Sequence, residues 1–203
     1  STGEVGALVV GFIHSSTYWL LPTILDRFRN RYPDVTLELH EMTIREQQDE
    51  LRRRSIDVGL LRPPLEDESI ETEVILEEQF LLAVAQTHRL ADRGHVILSD
   101  VAHEPFILFS SKRSALLRSR SLTLFQEAGF VPNGVQEATQ IHTVVGLVSA
   151  GIGVALVPRG ARHLRVPGAC FLEIENDETT IGIGVAWRRH ERTPAIDAFR
   201  RVA

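Results

Sequence analysis

The chain is poor in cysteine, in long hydrophobic runs and in surplus positive charge. Its only cysteine, Cys170, cannot form a disulfide within the chain, which favours a reducing, cytoplasmic setting. The longest apolar stretch, residues 143–158, is interrupted by glycines and too short to span a bilayer, so no membrane partner is expected. A net charge of -5 gives this segment no electrostatic support for binding nucleic acid.

The sequence also lacks the common catalytic and metal-binding motifs. A nucleophile elbow needs a glycine two residues before its serine, and Ser149 has Leu147 at that position. The pair His103-Glu104 has no second histidine to complete a zinc-protease helix. Gly151-Ile152-Gly153 lies between a predicted helix and a predicted strand, the wrong order for a dinucleotide fingerprint. We therefore expect no catalytic residue, no metal and no cofactor.

The chain does contain four junctions where a strand-like apolar run meets hydroxyl or amide residues and then a helix-like run. The runs begin at Ala7, Val35, Phe106 and Val135, and they end before Ser15-Ser16-Thr17, Met42-Thr43, Ser110-Ser111 and Thr139-Gln140. Such junctions place backbone N–H groups and the positive end of a helix dipole at the carboxyl edge of a sheet. Open α/β sheets bind small ligands at this edge, and anions suit it best. The chain is therefore predicted to bind a small anionic molecule.

Hydrophobic periodicity and cap residues predict strands and helices that alternate along the chain. The predicted strands are 5–13, 35–39, 56–61, 73–76, 80–85, 106–109, 135–138, 154–157, 169–174 and 180–188, with an acidic loop at 66–73. The predicted helices are 19–32, 43–54, 114–128, 140–150 and 194–202, with one helical turn at 160–164. Thr43 and Glu46 fit a capping box, and Gly129 and Gly151 are typical of helix ends.

Several segments, taken in order, resemble one known family over the whole chain. They are Gly11-Phe12-Ile13 with Leu20-Leu21-Pro22 and Tyr32-Pro33, the strand 56–60, Ala83-Val84 with His88-Arg89-Leu90, and the stretch 146–158. Together they resemble the effector-binding domain of LysR-type transcriptional regulators. Glu41-Met42-Thr43 with Glu46-Gln47 is similar to the branch that senses aromatic acids and their ring-cleavage products, such as benzoate and muconates.

The resemblance implies a type 2 periplasmic-binding-protein-like fold, in which two α/β subdomains are joined by two crossover strands. The first subdomain would comprise 1–77 with 181–203, and the second 78–180, with the effector in the cleft between them. DNA would be bound only through an N-terminal winged helix-turn-helix that this chain lacks. Ser1-Thr2-Gly3-Glu4 looks like the remainder of a linker to such a domain.

The resemblance also implies partners for the chain. These are a small carboxylate effector, a second or further copies in a homodimer or homotetramer, and RNA polymerase for the full-length regulator. In the dimer, the first helix of one protomer would meet the 114–128 helix of its partner. Because both helices carry more apolar residues than one buried stripe uses, we expect Leu20 and Leu122 at this interface.

The predicted effector contacts lie at the carboxyl ends of the predicted strands and in the helical turns that follow. They are Ser15, Ser16, Thr17, Thr43, Arg62, Phe109, Ser110, Ser111 and His142. Each has a structural alternative: the first three could cap the first helix, Thr43 could serve only its capping box, Arg62 could be a solvated loop residue, and His142 could be a packed or surface imidazole.

Two other classes of protein stay open at this point. A solute-binding protein of a transporter shares the implied fold, although no signal segment opens the chain. A small α/β hydrolase or transferase is compatible with the fold class but has no catalytic constellation here. Turnover assays against carboxylate esters and phosphate donors would separate such an enzyme from a binding domain.

Overall fold

Strands and helices alternate along most of the chain. The computed structural model describes residues 6–175 and 178–203, so the predicted linker at 1–4 lies outside the described residues. The strands are β1 (Gly6–Phe12), β2 (Val35–Glu41), β3 (Val58–Leu61), β4 (Ile70–Ala85), β5 (His95–Val96), β6 (Pro105–Phe109), β7 (Asn133–Ala138), β8 (Ala155–Pro158), β9 (Ala169–Ile174) and β10 (Thr180–Arg188). The helices are α1 (Leu20–Arg31), α2 (Ile44–Arg52), α3 (Ala115–Glu127), α4 (Ile141–Ser149) and α5 (Pro194–Val202), and short 3₁₀ helices occupy His14–Tyr18, Leu98–Val101 and Arg159–Leu164.

The chain folds into two compact units. Unit 1 comprises Ser1–Glu77 and Gly182–Ala203, and unit 2 comprises Glu78–Ile181. The chain passes from unit 1 to unit 2 within β4 and returns within β10.

Unit 1 is built on a sheet in which β1 lies between β2 and β3. Strand β1 is parallel to both neighbours, and β10 is antiparallel to β3. Alternate residues of a strand point to opposite faces. Leu8 and Val10 accordingly pack with Phe28 of α1 and Phe199 of α5, whereas Val9 packs with Leu51 of α2. Because three parallel strands end at one edge, the residues after Phe12, Glu41 and Leu61 lie together there.

Unit 2 contains a mixed sheet and a second, parallel pair of strands. The second half of β4 pairs antiparallel with β8 and β9, β5 pairs parallel with β9, and β6 pairs parallel with β7. Phe106, Phe125 and Phe130 form the aromatic centre of its core, with the first two rings edge to face at a centroid distance of 4.8 Å. Such edge-to-face pairs add about 0.5–1.5 kcal/mol beyond burial of their area.

The prediction of two strands at 73–76 and 80–85 is wrong, because β4 runs unbroken from Ile70 to Ala85 and takes up part of the predicted acidic loop. The polar run Glu77-Glu78-Gln79 lies between the two predicted strands and breaks their apolar pattern. In the structure the Glu78 side chain is buried, and its carboxylate accepts a hydrogen bond of 2.7 Å from the backbone N–H of Gly160. That hydrogen bond offsets part of the cost of burying the Glu78 carboxylate within the strand.

A 3₁₀ helix that the sequence did not predict separates β1 from α1. It contains Ser15, Ser16 and Thr17, so the N-cap of α1 is Trp19 and no side chain caps that helix. The alternative in which the three hydroxyl residues cap the first helix is therefore wrong. The short strand β5 was also not predicted.

Three helix signals of the sequence are confirmed. Thr43 and Glu46 form the predicted capping box of α2. Gly129 and Gly151, directly beyond the ends of α3 and α4, have φ values of 80° and 78°, a conformation that glycine adopts without strain. Helix α5 begins at Pro194, where a missing N–H costs no helical hydrogen bond.

The two leucines expected at a dimer interface differ in exposure. Leu20 is 6% exposed and packs in the core of unit 1, so the expectation that it faces a partner is wrong. It belongs to the same buried cluster as Val10 and Leu60. Leu122 on α3 is 42% exposed, as an interface residue of an isolated protomer requires.

Candidate functional site

Backbone hydrogen bonds hold the ends of β1, β2 and β3 together at the carboxyl edge of unit 1. The N–H of Ile13 donates to the carbonyl of Leu60 at 3.0 Å, and the N–H of Met42 donates to the carbonyl of Phe12 at 2.9 Å. The segments that carry Ser15, Thr43 and Arg62 therefore leave the sheet side by side. This is the edge at which ligands bind in open α/β sheets.

The three hydroxyl residues after β1 have different hydrogen-bond partners. Ser16 is buried and donates to the Ile13 carbonyl at 2.7 Å, and Thr17 donates to the His14 carbonyl at 2.7 Å. Ser15 is half-buried, and its hydroxyl makes no hydrogen bond to another described residue. Of the three predicted contacts, Ser15 is the one whose O–H is available to a ligand.

The hydroxyl of Thr43 is occupied by the α2 cap. It accepts from the Glu46 N–H at 3.2 Å and donates to the Glu46 carboxylate at 2.8 Å, while the Thr43 N–H donates to the same carboxylate at 2.7 Å. The backbone hydrogen bond from Thr43 is the main cause that lowers the pKa of Glu46 below its ordinary value. The capping role is thus confirmed, and effector contact by Thr43 stays a prediction.

Arg62, the residue after β3, is 4% exposed. Its guanidinium Nη1 donates to the carbonyl of Gly182 at 3.3 Å. The alternative of a solvated loop arginine is wrong, because the side chain is buried.

Three residues at this edge, His14, Glu41 and Gln47, were not among the predicted contacts. The Nδ1 atom of His14 lies 3.1 Å from the Glu41 carboxylate, and the imidazole packs edge to face on Tyr18. The residues are distant in sequence, and only the pairing of β1 with β2 brings them together. Fully buried Gln47 of α2 lies behind the same strand ends.

The corresponding edge of unit 2 contains the remaining predicted contacts. The N–H of Ser110 donates to the Ala138 carbonyl at 2.9 Å, and Ser114 donates to the Thr139 carbonyl at 2.6 Å, so the ends of β6 and β7 are joined. Helix α4 starts directly after them, and its N-cap, Gln140, makes no side-chain capping bond. Ser111 lies exposed in the turn after β6.

Phe109 and His142 differ in their surroundings. The ring of Phe109 is buried at the end of β6, while its carbonyl accepts a hydrogen bond of 2.9 Å from Arg118. His142 is exposed in the first turn of α4. Contact of either residue with an effector stays a prediction.

Within residues 6–175 and 178–203, no group of three or more histidine, cysteine, aspartate or glutamate side chains could hold a metal ion. In the same part of the chain, no helix combines the length and hydrophobicity needed to cross a membrane.

Comparison with known proteins gives matches over the full chain. The family model described as "LysR substrate binding domain" matches residues 1–203. The HTH-type transcriptional regulator AlsR of Bacillus subtilis is 34% identical over 201 residues, which cover 99% of this chain and 67% of AlsR. The chain thus spans about two thirds of the length of this relative.

Solved structures share the fold. The effector-binding domain of BenM with its effector benzoate is 26% identical, with a TM-score of 0.86 over 97% of this chain and 90% of that domain. BenM is a transcriptional regulator of Acinetobacter baylyi. Full-length CbnR in complex with its target DNA is also 26% identical, with a TM-score of 0.86 over 98% of this chain and 68% of CbnR.

Proposed function

Since the chain belongs to the family of LysR substrate-binding domains, we propose that it senses a small carboxylic acid at the strand ends described above. It is the effector-binding domain of a LysR-type transcriptional regulator and has the type 2 periplasmic-binding-protein-like fold. The proposal concerns the chemistry of the effector and the residues that contact it.

The observation that supports the proposal most is the buried guanidinium of Arg62 at the carboxyl edge of unit 1. A charge-assisted hydrogen bond from arginine to a carboxylate contributes about 1.5–3 kcal/mol, more than a neutral hydrogen bond does. The hydroxyl of Ser15, which follows the adjacent strand, offers a second, neutral donor. Thr43 stays a further predicted contact at this edge.

The proposed effector is an aromatic or dicarboxylic acid. The similarity to the BenM domain, which is bound to benzoate, supports an aromatic acid. Phe109, Ser110, Ser111 and His142, at the corresponding edge of unit 2, stay predicted contacts. Of these, Ser111 offers an exposed hydroxyl and Phe109 a buried aromatic wall.

A thermal-shift screen tests the proposal directly. The panel contains benzoate, substituted benzoates, muconate and saturated dicarboxylates, each with its neutral amide as control. At a concentration 100 times the dissociation constant, a ligand adds about 2.7 kcal/mol of stability, which raises the melting temperature by several degrees. If no acid shifts the melting temperature at millimolar concentration, the proposal is wrong.

We also propose that effector binding controls DNA binding and transcription by the complete regulator in the cytoplasm. DNA would be contacted through an N-terminal winged helix-turn-helix of the complete regulator, and RNA polymerase would be a further partner. The net charge of -5 supports a role for this chain in effector binding and not in DNA contact. The isolated chain should show no specific DNA affinity, and sub-micromolar operator binding at physiological salt would contradict the proposal.

Self-association of the domain is proposed to involve α3. Leu122 is exposed there, and a two-fold interface would place each substitution in the contact twice. Leu122→Glu should therefore shift sedimentation toward monomer, while Ile152→Glu, at another exposed hydrophobic residue of unit 2, should not. A wild-type chain that sediments as a monomer at tens of micromolar would contradict the proposal.

The alternatives receive less support. AlsR and BenM are transcriptional regulators, and neither is a transport protein. We further propose that the domain binds its effector without chemical turnover. Incubation with carboxylate esters and phosphate donors tests this point, because product formation that depends on protein concentration would indicate an enzyme.

A further inference from the structure

Gln47 has no assigned role in effector binding, yet its side chain is fully buried in unit 1. It lies in the first turns of α2 and is 0% exposed. Its amide Nε2 donates to the carbonyls of Met42 and Leu60, both at 3.2 Å. Its Oε1 is buried and has no hydrogen-bond partner among the described residues.

Two glycines make room for this side chain in the sheet. Gly11 of β1 and Gly59 of β3 are register partners. A Cβ on Gly59 would stand 2.6 Å from Gln47 Oε1, and a Cβ on Gly11 would stand 3.1 Å from Gln47 Cγ. Paired positions without side chains therefore form a slot that fits the amide. Glycine in a strand often marks such a close approach.

The two carbonyls that Gln47 binds belong to two of the chain segments that form the carboxyl edge. Met42 directly precedes Thr43, and Leu60 lies two residues before Arg62. The Leu60 carbonyl also accepts the N–H of Ile13, and the N–H of Met42 donates to Phe12. One side chain thus connects the ends of β2 and β3, and backbone hydrogen bonds join both to the end of β1.

We propose that Gln47 is a positioning residue, which fixes the three strand ends in the arrangement that the effector requires. The effector part of this statement rests on the proposed function above. A buried carbonyl oxygen without a partner costs stability, so an apolar side chain would suit the slot better if stability alone mattered. A binding edge must be held in place by such supporting hydrogen bonds, which accounts for a polar residue here.

Hydrogen exchange of the backbone amides tests the proposal without a ligand. Gln47→Met keeps an unbranched side chain of similar size and removes both donors, and Gln48→Met is the matched control on the same helix. We expect the amides of Ile13 and Met42 to exchange about tenfold faster in Gln47→Met, beyond any change shared by all of unit 1. If amide exchange accelerates uniformly across unit 1, or does not accelerate, Gln47 is an ordinary core residue and the proposal is wrong.

Gln47→Glu gives a second readout that loss of packing would not produce. Burial raises the pKa of a carboxyl, and the neutral acid can donate one hydrogen bond where the carboxylate can donate none. The protection factors of Ile13 and Met42, relative to the wild type, should therefore recover as the pH falls from about 9 to about 5, a window that spans the raised pKa of a buried glutamate. A ratio that stays constant with pH would overturn the donor role.

The effector part is tested with the acid that binds most tightly in the thermal-shift panel. We expect Gln47→Met to weaken its binding about tenfold and Gln48→Met to leave it unchanged. Unchanged binding by Gln47→Met would overturn the proposal for effector recognition. If the wild type binds no acid, the proposed function fails, whereas hydrogen exchange still decides whether Gln47 fixes the strand ends.

Discussion

Two buried arginines occupy opposite edges of the same sheet in unit 1. Arg62 follows the carboxyl end of β3 and is 4% exposed. Arg188 ends β10, which is antiparallel to β3, so it lies beside Asp57 at the amino end of β3 and is 8% exposed. The two side chains have the same charge and nearly the same burial, but they face different chemical surroundings.

The guanidinium of Arg188 is paired with groups of unit 1. Its Nε binds Glu191, its Nη1 donates to the carbonyls of Leu51 and Ile56, and its Nη2 lies 3.0 Å from Glu191 and 3.5 Å from Asp57. The hydrogen bond with Glu191 is the main cause that raises the pKa of the Arg188 guanidinium. Its donors thus join the end of α2 and the start of β3 to the segment that follows β10.

Arg62 lies where the strand ends converge with Ser15 and Thr43. One of its donors binds the carbonyl of Gly182 at 3.3 Å. The comparison teaches that burial alone does not identify a functional arginine. The edge of the sheet at which the arginine lies is the more informative property, because ligands bind at the carboxyl edge.

The largest expected effect is on stability and belongs to Arg188. Arg188→Met removes a cation, the donor to the buried Ile56 carbonyl and the guanidinium that pairs with Glu191 and Asp57. Breaking a buried ion pair from one side costs about 3–5 kcal/mol, and we expect a loss near the lower end in urea denaturation because Glu191 is only partly buried. Effector affinity, measured where the variant is folded, should not change. A stability loss below about 1 kcal/mol would remove the basis for calling Arg188 structural.

The next largest effect is on affinity and belongs to Arg62. Arg62→Ala should weaken effector binding ten- to hundredfold, because a charge-assisted hydrogen bond contributes about 1.5–3 kcal/mol. Isothermal titration of the folded variant measures this loss, and Arg188→Met serves as the control at the other edge. An unchanged dissociation constant would show that Arg62 does not contact the effector.

A smaller effect separates Ser15 from its neighbour Thr17. The Ser15 hydroxyl is available to the effector, whereas the Thr17 hydroxyl is bonded to the His14 carbonyl. Ser15→Ala should weaken effector binding about two- to tenfold, the value of one neutral hydrogen bond. Thr17→Ser keeps the local bond and should bind as the wild type does. Equal affinities of Ser15→Ala and the wild type would exclude Ser15 as a contact.

The smallest expected effect is a pH dependence at the Arg188 edge. The hydrogen bond from Arg188 is the main cause that lowers the pKa of Glu191 below its ordinary value of 4.5. A lowered pKa in the folded state means that the pair stabilises the fold above the unfolded pKa and loses this contribution as pH falls through the folded pKa. The stability difference between the wild type and Glu191→Gln should therefore be present at pH 6 and shrink below pH 4.5. If the stability difference between the two proteins increases as the pH falls, the prediction is wrong.

Local signals predicted much of the fold. The bounds of β9, β10 and α5 follow from alternation and from a proline in the first helical turn, and the capping box at Thr43 set the start of α2. The unbroken β4 was missed because a buried carboxylate inside a strand depends on a distant backbone donor at Gly160. No local pattern contains that information.

The candidate site could be predicted only in part for the same reason. Strand ends and hydroxyl residues are visible in the sequence, but hydrogen-bond partners are not. The sequence therefore did not separate Ser15 from Thr17 or reveal the contact of His14 with Glu41. Glycines inside predicted strands, at Gly11 and Gly59, were the signal that could have pointed to Gln47.

The central claim is that Arg62 recognises the carboxylate charge of the effector. The most direct test titrates the strongest-binding acid of the panel and its primary amide against the wild type and Arg62→Ala. We predict that the wild type prefers the acid by ten- to hundredfold and that Arg62→Ala binds acid and amide with nearly equal affinity. If both proteins prefer the acid by the same factor, another group carries the recognition and the account is wrong.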